Sequence, residues 1–179
     1  MKGVYWKESD SFNNSMSLIV SLLICYPEIA TLKLNPVENV FIFSFIFKRN
    51  FSAKEEELFR EELAISLLTL IELIQHQPKI IEIYFKRQKD LSFLEIKRDI
   101  SSLSQEEISL MVKVINNKYE EEIIKDQDDN LNEEELVFQE EIINHMLEEI
   151  KDSQQEKELI GIREEGRVMI FNHSDPPCE

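Results

Sequence analysis

The stretch VFIFSFIFK (40–48) is polar only at Ser44 and Lys48. Its β-branched and aromatic residues suit a pleated, packed surface, so the stretch is expected to form a strand. Side chains alternate across a strand. Phe41, Phe43, Phe45 and Phe47 therefore point one way, and Val40, Ile42 and Ile46 the other. A strand of a one-sided antiparallel sheet alternates apolar with polar residues. This one does not, and both of its faces need cover. Either it is a central strand with helices on each face of the sheet, or one face meets a second subunit or a partner chain. On the second reading, Phe41, Phe43, Phe45 and Phe47 are the candidate partner-binding residues.

The flanking sequence supplies the other elements. IATLKL (29–34) alternates, with Ala30, Leu32 and Leu34 on one side. NPVEN (35–39) is a turn by its Asn-Pro pair, and closes a hairpin with 40–48. Upstream, MSLIVSLLICY (16–26) suits a helix that Pro27 ends. Downstream, residues 51–78 read as the clearest helix of the chain. Ser52 and Glu55 form a capping box, Leu63, Leu67, Leu70, Ile71 and Ile74 form one stripe, and Pro78 is the stop. A second hairpin covers 79–100, with Ile81, Ile83 and Phe85 answered by Leu94 and Ile96. A third helix opens at Ser104, boxed by Glu107, and runs to about Lys125. A fourth runs from about Glu133 to Asp152, and ELIGIREEGRVMIFN (158–172) is a third hairpin turning at EEG.

The order is α-ββ-α-ββ-α-α-ββ. It predicts an α+β fold: a largely antiparallel sheet of about six strands, built from three β-hairpins and packed with about four helices. Residues 1–172 are expected to be one domain, and 173–179 a frayed, disordered tail.

Composition bounds the function classes. The chain has 179 residues and a net charge of −16. Residues 1–100 carry 13 basic and 14 acidic side chains, and residues 101–179 carry 7 and 22, so the acid belongs to the C-terminal part. Such a field repels phosphate backbones, and no nucleic-acid partner is expected. The run 16–26 is about half of what spans a bilayer, and acidic Glu8 and Asp10 precede it. No membrane partner is expected. Two cysteines are too few for a disulfide framework. Cys25 reads as a core residue and Cys178 as a surface thiol, which fits a reducing, cytoplasmic setting.

The motifs that carry chemistry fail on inspection. Asp126, Asp128 and Asn130 alternate as the first ligands of a calcium loop do, but Leu131 stands where the loop needs glycine and Val137 where it needs glutamate. Asn132 and Glu135 instead read as a capping box, with Leu131 and Leu136 as its staple. Glu141 and His145 share a helix face without the spacing of a dinuclear centre. Three glycines leave no phosphate loop and no nucleophile elbow. Lys86, Arg87, Lys89, Lys97 and Arg98 cluster around the tip of the second hairpin, where they can touch an acidic partner or, on the simpler reading, Lys86 and Lys97 pair across strands with Glu82 and Glu95.

No catalytic residue, metal ligand or cofactor site is therefore assigned. The leading expectation is a non-catalytic, cytoplasmic protein that binds another protein or itself, as a regulatory or adaptor oligomer. One alternative is an enzyme with a carboxylate-based, possibly Mg²⁺-dependent, site. Another is an acidic mimic that inhibits a nucleic-acid-binding protein, with carboxylates spaced along one ridge of residues 119–158.

Overall fold

The computed structural model describes residues 10–126, 131–153 and 157–173. The tail residues 174–179 and most of the calcium-like run, 127–130, lie outside them. The chain is α+β, in the expected order. Helix α1 (Asp10–Cys25) leads into strands β1 (Thr31–Asn35) and β2 (Val40–Phe47). Helix α2 (Ala53–Leu73) leads into β3 (Ile81–Gln88) and β4 (Leu91–Asp99). A 3-10 turn (Ile100–Ser102) precedes α3 (Gln105–Tyr119) and α4 (Glu133–Lys151), and β5 (Glu158–Glu164) and β6 (Arg167–His173) follow. His173 thus ends a strand and does not belong to the tail.

The three hairpins join into one six-stranded sheet of order β3-β4-β2-β1-β5-β6. Every neighbouring pair is antiparallel. The β5–β6 turn has positive φ at Glu165 and Gly166, the twist that matches a two-residue hairpin loop.

The helices lie on one face of the sheet. Phe41, Phe43, Phe45 and Phe47 are fully buried there, with Leu32, Leu34, Leu94, Ile96 and Leu159. Burying each such side chain contributes about 1.5–3 kcal/mol. Helix α1 covers the β5–β6 side and approaches so closely that a Cβ on Gly161 would collide with Ile19 and Leu23. Helices α2 and α3 cover the other side, where the Phe59 and Tyr119 rings meet edge to face at 4.9 Å and Phe59 meets Phe85 at 6.2 Å. Helix α4 adds Ile143, Leu147 and Ile150 to the same core.

Two helices stop earlier than their patterns suggest. Helix α2 ends at Leu73 because Gln75 turns left-handed (φ 58°). The Gln75 N–H then donates to the Glu72 carbonyl and the His76 N–H to the Ile71 carbonyl, a Schellman closure without its usual glycine. Helix α3 ends at Tyr119 because the following residues are needed elsewhere. Strand β1 begins at Thr31, opposite Ser44, and leaves the last residues of β2 unpaired on that side. Residues 122–124 fill the gap: the Lys48 N–H donates to Glu122 and the Ile124 N–H to Ile46, both at 2.8 Å.

Candidate functional site

Strand β2 is interior, lying between β4 and β1. The expectation of helices on both faces does not hold among the described residues. Its phenylalanines have no exposed surface, and the face they form is the chain's own core. The opposite face of β2 carries Ile42, Ser44 and Ile46, all half-buried.

The strand register extends that face across the sheet. Ile42 stands between Lys97 and Lys33, and the row continues through Ile160 to Phe171. Ser44 stands between Glu95 and Thr31, and its row continues through Ile162 to Met169. Ile46 stands beside Phe93, which stands beside Lys86. Phe171 is 51% exposed and Tyr84, beside Glu95, is 46% exposed. The apolar residues gather in two patches, Ile160, Ile162, Met169 and Phe171 on β5 and β6, and Ile46 with Phe93 on β2 and β4, while Ile42 stands between two lysines.

Charge on this face is balanced. It carries Lys33, Lys86, Lys97 and Arg167 against Glu82, Glu95, Glu158 and Glu164, in a chain whose net charge is −16. Lys86 is 3.0 Å from Glu95, Lys97 is 3.8 Å from Glu82 and also pairs with Glu38, and Lys33 pairs with Glu158. The expected cross-strand pairing is thus present. Arg87 reaches Glu56 of α2 at 2.6 Å.

Arg98 is not part of that exposed cluster. It lies on the core face with no exposed surface, and its guanidinium meets Glu107 of α3 through two hydrogen bonds, one of them at 2.9 Å. It also donates to Asp99, to the Ile80 carbonyl at 2.9 Å and to the Ser102 hydroxyl at 3.2 Å. Ser104 caps α3 as expected, but the Glu107 carboxylate turns to Arg98 instead of closing a capping box. Burial raises the Glu107 carboxyl above its ordinary value, and Arg98 opposes the rise. Burial acts on Asp99 in the same direction, but hydrogen bonds to it from the Ile80 N–H, Ser102 and Ser101, together with Arg98, outweigh burial and hold the carboxyl well below the carboxylate range. Each of these groups has its partners inside the protein, and the network is a structural clasp between β4, the start of β3 and α3.

The remaining candidates are placed as follows. The Asn132 and Glu135 capping box is present at the start of α4. His145 is exposed and lies 3.2 Å from Glu149 one turn away. His76 Nδ1 sits 3.0 Å from the Ser102 carbonyl. Cys25 is a buried free thiol, pushed up to about 12 chiefly by burial. Among the described residues, no group of three or more His, Cys, Asp or Glu could hold a metal ion, and no helix is long and apolar enough to cross a membrane.

Comparison with protein-family models, curated proteins and solved structures finds no match to this chain.

Proposed function

We propose that this chain is a non-catalytic binding protein that self-associates through the open face of its sheet. The observation that supports this most is the combination of apolar patches and balanced charge on that face. Two copies of a −16 chain repel each other over most approaches. The open face lacks that penalty, and its ion pairs are satisfied within each copy. Its size also fits. Six strands about 4.8 Å apart and about seven residues long give a face of roughly 700 Å², near the ~800 Å² per partner of a standard interface. Light scattering over a dilution series tests the reading. Association that weakens in Phe171→Asp and Ile42→Asp, with the fold retained, is the expected result.

One observation favours a second reading. On α4, Glu134, Glu141 and Glu148 are exposed at seven-residue spacing, beside exposed Val137 and Phe138. Such a ridge of carboxylates about 10.5 Å apart fits a basic protein as an acidic mimic would. Affinity capture at low and high salt separates the two: a basic partner lost at high salt belongs to the ridge, and salt-resistant recovery of the chain itself belongs to the sheet.

A further inference from the structure

Where α1 ends, the chain passes a cleft of about 230 Å³ between α1, α3 and α4. Its walls are apolar, from Pro27, Val112, Leu131 and Leu136. Its polar groups are mostly acceptors. The Tyr26 hydroxyl accepts from Gln105 Nε2 and donates to Glu140 Oε1, both at 3.0 Å, which fixes that carboxylate at one wall. Glu28 is 7% exposed, and the partner it holds is neutral, the Asn116 amide at 2.6 Å. That bond occupies Asn116 Nδ2 and leaves Asn116 Oδ1 buried without a partner.

A buried acceptor without a donor is unfavourable, and a buried carboxylate whose hydrogen bond comes from a neutral amide keeps part of its desolvation cost. Lys113 is at the rim, exposed, and makes no ion pair among the described residues. Arg163 makes no hydrogen bond to Glu28 but acts on it electrostatically: its Nη1 donates to the Pro27 carbonyl at 2.7 Å, and its Nη2 is buried without a hydrogen-bond partner. Among the described residues the cleft thus has two carboxylates, an orphan carbonyl and apolar walls, and its one lining cation, Lys113, stands exposed without an ion pair.

We infer that this cleft binds a small primary ammonium ion on a hydrocarbon stem. The three N–H donors of an ammonium match Asn116 Oδ1 and the Glu28 and Glu140 carboxylates, and the stem lies against Leu131 and Leu136. A carboxylate ligand is excluded by like charge. A purely apolar one leaves the acceptors unmet. None of the residues lining the cleft belongs to the exposed face of the sheet.

The test is calorimetric titration of the full chain with 1-aminopentane, 1,5-diaminopentane, pentanoate and N-acetyl-lysinamide at physiological salt. Saturable binding of the two free amines, and none of pentanoate, is expected. Glu28→Gln should weaken the amines at least tenfold, and Leu136→Trp, which fills the cleft and leaves the carboxylates in place, should abolish binding. Glu141→Gln, on the outer ridge of α4, should change nothing. Circular dichroism establishes that each variant is folded, and Leu136→Trp decides the matter where Glu28→Gln is not. Absence of saturable amine binding overturns the inference. So does binding that survives Leu136→Trp, or that falls equally with Glu141→Gln, because that is diffuse attraction to an acidic surface. Binding of N-acetyl-lysinamide alone overturns the free-amine ligand in favour of a lysyl side chain from another protein.

Discussion

Arg98 is the residue whose environment departs furthest from its sequence context. Flanked by Lys97 and Asp99 in a charged run, it reads as a surface residue. Strand alternation puts it on the core side, beneath α3, and Glu107 is there to meet it. Only the three-dimensional return of α3 reveals the pair, since nothing local links residues 98 and 107. Glu107→Ala leaves a buried guanidinium without its main partner, so denaturant unfolding should show a loss of about 3–5 kcal/mol. The double replacement Arg98→Met, Glu107→Leu should recover most of that loss, because it removes both charges together. Asp99 gives the clasp a pH dependence. A carboxyl whose folded-state value is below its unfolded value of about 3.9 stabilises the fold above that pH and loses the contribution as pH falls towards the folded-state value. Unfolding followed between pH 6 and 2 should therefore be steeper in the natural chain than in Asp99→Asn.

Among the elements, those with local signals were readable and those set by neighbours were not. The hairpins, the Ser52 and Asn132 capping boxes and the antiparallel class follow from turn residues, side-chain alternation and cap spacing. The ends of α2 and α3 do not. The first closes on a left-handed Gln75, a residue that carries no stop signal, and the second closes because β2 needs hydrogen-bond partners past the start of β1. Two substitutions test these ends. Gln75→Gly removes the left-handed strain at an exposed position and should stabilise the protein by up to about 1 kcal/mol in thermal unfolding, and Gln75→Ala should not. Asn132→Ala removes the N-cap of α4 and should cost about 1 kcal/mol.

For the molecule as a whole, the sequence of β2 predicts cover for both faces but does not say which face the helices take. Helix patterns give each helix an apolar stripe, and none of them says which side of a sheet it meets. The four phenylalanines are the largest apolar set in the strand, a property that suits a partner surface and a core alike, and they form the core. The surface left over is defined by the register of six strands. Ile160 meets Phe171 when β5 and β6 pair, and only the pairing of β5 with β1 brings that patch to within one strand of Ile42. Its charge balance is likewise a property of the assembled sheet. The acidic excess stands elsewhere, on residues such as Glu134, Glu141 and Glu148 of α4. Light scattering of the purified chain across a hundredfold dilution, beside Phe171→Asp, tests the central proposal most directly. Self-association predicts a mass above the 21.2 kDa of one chain at the highest concentration, falling on dilution and absent in the folded variant. A constant 21.2 kDa at every concentration would contradict it.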